Sequence, residues 1–234
     1  MKDKIKNVSL KVHHEKKLRK IFWLVLALII LCLMLFYFVV GILYNRGNFS
    51  ITMEQDLYFD SGLLIYDDPE YKVFRTELLA PSPNVFDDML EAWIPEDIAN
   101  LGGGSHNGDD YLAYTFYMEN TSENITDYWV SVTISDVIKN MDEAVRIKLY
   151  RNQEPSTFAK MSIDGDPEEG TTPFAKDDLV TSWHVENFAP GSIDEYTLVI
   201  WVDGDDLECT DNILGGEFKI QMNFTKEAYN TAEN

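Results

Sequence analysis

The sequence predicts an all-β domain, an antiparallel β-sandwich with one or two short helices, behind a single transmembrane α-helix. Three observations predict it. Ile21 to Tyr44 is a run of 24 residues without a charged side chain. Beyond it, short segments alternate apolar and polar residues with period two, the signature of half-buried strands. Clusters of Gly, Pro, Asp and Asn separate those segments at the spacing of sandwich turns.

The apolar run organises the chain. At about 1.5 Å per helical residue it reaches roughly 36 Å, enough to cross a hydrocarbon core of about 30 Å with some tilt. Charge divides around it. Residues 1–20 carry eight Lys or Arg against Asp3 and Glu15, so the overall −21 separates into +6 before the run and −27 after it. A basic flank stays cytoplasmic, which predicts an N-in, single-pass plasma-membrane protein with its C-terminal domain outside. The basic cluster also suits anionic headgroups. A cleaved signal peptide is the competing reading. Its apolar core is usually shorter, about 7 to 15 residues, and Val39-Val40-Gly41 makes a poor cleavage site. The expected organisation is a basic tail over 1–20, the span over 21–44, a linker with the first strand over 45–56, the sandwich over 57–225 and a polar tail over 226–234.

In chain order, the first strand is expected near Phe49 to Met53. Leu63 to Tyr66 and Tyr71 to Phe74 read as a hairpin around Asp67-Asp68-Pro69. Val85, Phe86, Met89, Leu90 and Trp93 recur at helical spacing, predicting a short helix ended by Pro95. Leu101 to Asp110 is a Gly-rich loop. Strands are expected at Tyr111 to Met118, Tyr128 to Ile134 and around Val145, Ile147 and Leu149, with Arg146 and Lys148 on a wet side. Asp136 to Glu143 reads as a helical turn. Phe158 to Ile163, Ser182 to Phe188, Tyr196 to Val202 and Glu217 to Phe224 complete the set.

The acidic balance excludes nucleic acid as a partner, because no basic stripe neutralises phosphates. It suits divalent cations. Asp203, Asp205, Asp206, Glu208 and Asp211 lie within nine positions and make a candidate Ca²⁺ site, without EF-hand spacing. The same residues also read as a solvated acidic turn. Asp164, Asp166, Glu168 and Glu169 form a second acidic candidate. Only His106 and His184 lie beyond the span, too few for a zinc site by spacing alone; His106 with Asp109 and Asp110, or His184 with Glu186, would give part of one. Cys32 lies in the span and Cys209 stands alone beyond it, so the fold rests on packing rather than a disulfide. There is no nucleophile elbow and no P-loop. Trp129 and Trp201 alternate away from the core stripes and, with Trp183, Tyr111 and Tyr117, form either a ligand platform or more core.

Pro190-Gly191, the Tyr196 to Trp201 strand, Asp203-Gly204-Asp205-Asp206, Cys209, Gly215-Gly216 and the strand ending Phe224-Thr225 carry a resemblance. Over Pro190 to Thr225 the chain resembles the closing hairpin of the camelysin and TasA-like group of Gram-positive surface proteins. The resemblance implies a jelly-roll-like sandwich exported across a Gram-positive membrane, with roles in matrix fibres or, for camelysin, metalloprotease activity. The chain departs from the group in keeping its helix and in lacking His-Glu-x-x-His, so no protease role passes to a named residue. Turn geometry alone also accounts for Gly204, Gly215 and Gly216.

The expected function is cell-surface interaction, adhesion or matrix assembly without a catalytic centre. Its expected mechanism is self-association or pairing with a protein partner through Glu217 to Phe224 as an edge strand. The alternatives are a camelysin-like metal-dependent hydrolase and a Ca²⁺-responsive or carbohydrate-binding module.

Overall fold

The computed structural model describes residues 19–39, 49–73, 75–81 and 87–229. The chain forms two units, Met1–Arg46 and Gly47–Asn234. In the first, α1 (Arg19–Val39) is a helix long and apolar enough to cross a membrane. It starts two residues before the apolar run. Residues 40–44 of the expected span and 45–48 of the expected linker fall outside the described residues, as do most of the basic tail and the last residues of the polar one.

The second unit opens with β1 (Phe49–Met53), a five-residue helix α2 (Gln55–Phe59), β2 (Leu63–Tyr66), β3 (Glu77–Ala80) and β4 (Asp88–Met89). It continues through β5 (Gly104–Ser105), β6 (Tyr111–Asn120), β7 (Thr126–Ile138), β8 (Val145–Arg151) and β9 (Glu154–Ala159). The last strands are β10 (Thr172–Pro173), β11 (Leu179–Phe188), β12 (Ile193–Asp203) and β13 (Glu217–Thr225). They make two sheets. One has five strands in the order β11-β7-β13-β1-β3; the other runs β10-β9-β8-β12-β6-β2, with β4 on β12 and β5 on β6.

Period-two alternation builds the layer between them. Phe49, Ile51, Val130, Val132, Ile220, Met222 and Phe224 point inward from the five-stranded sheet. Leu112, Phe116, Met118, Ile147, Tyr196, Leu198 and Ile200 meet them from the other. Phe116 stacks on Tyr196 at 5.5 Å and meets Phe224 edge-on across the layer at 5.9 Å. Each such side chain contributes about 1.5–3 kcal/mol on leaving water, so this layer is the main source of stability.

Several expectations need correction. The sheets are mixed, since β1 runs parallel to β13, β4 to β12 and β10 to β9. β2 pairs with β6 instead of closing the expected hairpin; Tyr71 to Val73 is not strand, and Phe74 lies outside the described residues. No helix spans the stretch before Pro95 among the described residues. β4 and two 3₁₀ turns, Glu91–Trp93 and Ile98–Asn100, stand on either side of it, while residues 82–86 also lie outside the described residues. The physical reason is packing. Met89, Ile94 and Ile98 bury themselves on the outer surface of β6 and β12, and that burial overrides helical spacing. The strand expected at Phe158 to Ile163 is shifted to β9, leaving Ile163 85% exposed in a loop. β7 runs on to Ile138, so only Met141–Glu143 of the expected turn is helical.

The most consequential correction concerns β13. It is not an edge but the central strand of five, held by β7 on one side and β1 on the other. The first strand, assigned to the linker by sequence, is therefore an integral part of the sheet. The closing glycines match their expected role: Gly215 has φ +68°, and a Cβ on Gly216 would lie 2.7 Å from the Ile138 carbonyl oxygen.

Candidate functional site

Arg146 lies on β8 opposite Trp201 of β12, on the outer face of the larger sheet. The sequence places it in water; the structure buries it to 4% exposure. Three carboxylates, from the end of β12 and two loops, surround its guanidinium, while Nη1 is buried without a hydrogen-bond partner. Nε faces Asp203 at 3.2 Å, and Nη2 faces Asp206 at 2.7 Å and Glu168 at 3.2 Å. A planar fork is well suited to gathering several carboxylates at once. The Glu208 amide donates to Asp206 Oδ1 at 2.7 Å, and the Ile163 amide donates to Glu208 Oε1 at 3.1 Å.

Carboxylate oxygens of Glu168, Asp206 and Glu208 all lie within 4.8 Å of one another. Hydrogen bonding to Asp206 pushes the Glu208 carboxyl above its usual range, and the charges of Asp206 and Glu168 add to the effect. The first acidic candidate is thus divided. Asp203, Asp206 and Glu208 converge, and Glu168 joins them from the second candidate loop. Asp205 and Asp211 are exposed, with Asp205 donating its amide to Asp203 Oδ1 at 3.3 Å. Asp164, Asp166 and Glu169 do not enter the group.

The histidines are engaged elsewhere. His106 Nε2 lies 2.8 Å from the Gly102 carbonyl, and His184 Nδ1 lies 3.2 Å from Glu186. Neither belongs to a group of three metal-ligating side chains among the described residues. Cys209 is a free, half-buried thiol whose pKa is raised by burial and by Asp88, Asp206 and Asp203 nearby. A raised pKa keeps the thiol protonated and unreactive.

The aromatic residues separate into two kinds. Trp201 is 1% exposed and packs with Met89, Ile98, Ala113 and Val199, with Tyr111 against them. Trp183 packs on the core, and Tyr117 stacks on Tyr66 at 5.3 Å. Trp129, on the outer face of the five-stranded sheet, stays partly exposed, as Tyr111 and Tyr117 do on the larger one, and it stacks on His184 at 4.5 Å and 11°.

That face belongs to the five-stranded sheet, and its cross-strand rows are set by register. One row is His184, Trp129 and Thr225; the next is Ser182, Ser131, Asn223, Thr52 and Glu77. The third is Thr133, Gln221, Ser50 and Leu79. A closed ring of hydrogen bonds crosses the last two rows. Gln221 Nε2 donates to Thr52 Oγ1 at 3.3 Å, Thr52 donates to Asn223 Oδ1 at 2.7 Å, and Asn223 Nδ2 donates to Thr133 Oγ1 at 3.1 Å. Thr133 closes it by donating to the Gln221 carbonyl at 3.3 Å.

One buried node escaped sequence reasoning. Asp194, 5% exposed, accepts from Tyr128 Oη at 2.6 Å, Arg151 Nη2 at 2.8 Å and Asn152 Nδ2 at 2.7 Å. Burial first, then Tyr196 and Asp194, pushes the Tyr128 phenol far above its ordinary value. Four fully paired polar groups of this kind hold strands in register rather than perform chemistry. The local signal was an Asp near the start of a largely apolar strand.

No known family pattern matches the chain, and no curated protein matches it. Among solved structures, the chain is similar to a β-glucosidase from Kluyveromyces marxianus in complex with glucose. The identity is 12%, with 68% of this chain and 15% of that one covered and a TM-score of 0.24. A selenomethionine-labelled structure of the Kluyveromyces marxianus β-glucosidase gives 12%, 68%, 16% and 0.23. The chain spans about a sixth of the length of those enzymes, and likeness at this level carries no argument about fold or activity.

Proposed function

We propose that this chain is a membrane-anchored surface protein, oriented N-in, whose β-sandwich works by interaction rather than catalysis, in adhesion or in assembly with further copies. The observation that carries this reading is the open edge of β11. β11 is terminal in the five-stranded sheet, and its first residues are capped by Ala175 and Lys176, which bond to Val180 and Leu179. Its ladder to β7 is interrupted between Val185 and Phe188, where Asn187 adopts φ 57°. Thr181 to Val185 remains between them, with none of the Lys or Pro residues that blunt native edges. Strand pairing is thereby reassigned from β13 to β11. The reading keeps the resemblance to exported camelysin and TasA-like sandwiches as its fold context.

The test is light scattering of the full chain in detergent over a wide concentration range. Growth into oligomers that Ser182→Lys suppresses supports pairing at β11. A strict monomer at every concentration sinks it. Casein cleavage by the same preparation would replace the interaction reading with the camelysin-like hydrolase.

A second reading rests on the convergence of Glu168, Asp206 and Glu208. These hard oxygen donors on two loops suit Ca²⁺ at the weak affinities of extracellular modules. Arg146 already compensates part of their charge, so the ion would bind on the Glu208 side. A melting temperature unmoved by millimolar Ca²⁺ would reject it, since a ligand of the native state must stabilise that state.

A further inference from the structure

We infer that the outer face of the five-stranded sheet is a binding site for a neutral, hydroxyl-rich ligand, a glycan chain lying across β1, β13 and β7 beside Trp129. Charge sets the middle of this face apart from its ends. In a protein of net charge −21, its three rows hold one fully charged side chain, Glu77 at the margin. The charged groups at its ends pair with one another, His184 with Glu186 and Lys219 with Asp136 and Glu217, so the rows between them offer uncharged hydrogen-bonding groups.

What it offers instead is a fixed array of amides and hydroxyls. The ring through Gln221, Thr52, Asn223 and Thr133 uses one donor from each amide group and sets the plane of both. An amide has two N–H donors and two acceptor lone pairs, so each keeps capacity beyond the ring. Vicinal hydroxyls both donate and accept, and paired amides of fixed orientation match them without losing rotamer entropy on binding. Beside the rows stands the Trp129–His184 stack. An aromatic ring provides the apolar surface on which the C–H face of a pyranose packs.

The ligand would lie across the sheet face, whereas strand pairing uses the backbone edge of β11. The two therefore have separate readouts, and oligomers that bind no polysaccharide would sink this inference alone. The experiment is biolayer interferometry with the full chain in lipid nanodiscs against dextran, mannan and hydroxyethyl cellulose, with alginate as the anionic control. The expected result is salt-independent binding to at least one neutral polymer. Trp129→Ala should weaken it about tenfold and Gln221→Ala severalfold, while Trp93→Ala, at an exposed site elsewhere, leaves it unchanged. Gln221→Ala decides the matter if Trp129→Ala does not fold. The inference is overturned if no neutral polymer binds, if alginate alone binds, or if binding survives the variants that fold.

Discussion

The two sheets use the same alternation and end with opposite outer faces. On the five-stranded sheet the outward residues of β7 and β13 include Trp129, Ser131, Thr133, Gln221, Asn223 and Thr225; Ser131 and Thr133 are buried, and the other four stay partly exposed around them in a hydrogen-bonded polar layer. On the larger sheet the outward residues of β6 and β12 include Ala113, Thr115, Thr197, Val199 and Trp201, all buried. The connection carrying Met89, Ile94 and Ile98 folds over them, and the hydroxyls of Thr115 and Thr197 satisfy each other at 2.8 Å beneath it. Among the described residues, the sandwich thus acquires a third layer on one side only. The difference shows that an outward tryptophan means nothing by itself; the segment that crosses over it decides.

Substitution of the two tryptophans is the strongest way to break that comparison. Trp201→Ala should cost about 3–5 kcal/mol in denaturant unfolding, the penalty for emptying a large buried site. Trp129→Ala should cost less, about 1 kcal/mol, because its side chain is partly exposed. Equal costs would mean that the five-stranded face is also covered, and the contrast would fail.

Next in size is Arg146, the charged member of the covered face. Arg146→Met leaves Asp206 buried without its partner and should destabilise by about 3 kcal/mol. Adding Asp206→Leu should restore most of that loss, since a buried pair replaced whole by apolar groups is close to neutral. Failure of the double substitution to recover stability would show that the surrounding carboxylates, rather than the lone Asp206, carry the penalty.

A smaller effect separates the acidic edge of the covered face from the neutral one. Glu208 has a raised pKa in the folded protein, so the native state binds its proton more tightly than the unfolded chain does. Its stabilising contribution is present below the ordinary carboxylate pKa and is lost as pH rises through the raised folded value. Glu208→Gln should therefore raise the melting temperature at neutral pH and flatten its pH dependence just above the usual carboxylate range. A melting curve lowered at neutral pH would contradict the sign. Smallest of all, Gln221→Ala on the neutral face should change unfolding free energy by about 1 kcal/mol or less, from one exchanged hydrogen bond.

The site was legible in fragments. Asp206 and Glu208 stood out by spacing, and Trp129 by its place in the alternation. Glu168 belonged to a different candidate loop, and Arg146 read as a solvent-facing strand residue. Nothing local brings residues 146, 168, 206 and 208 together; the pairing of β8 with β12 does. Asp194 and its partners were invisible for the same reason, since their meeting depends on three separate strands.

By itself the sequence determined the apolar helix, the period-two strands and their inward faces, because hydrophobic run length and alternation are properties of consecutive residues. Strand order was a different matter. Alternation shows which face of β13 is buried but carries no information about its neighbours, so an end-of-chain strand looked like an edge. Tertiary structure placed it at the centre by inserting β1 alongside, and among the described residues it laid a further segment over one outer face and none over the other. Those choices are made by contacts between residues far apart in the chain, whose energy is released only when the layers close.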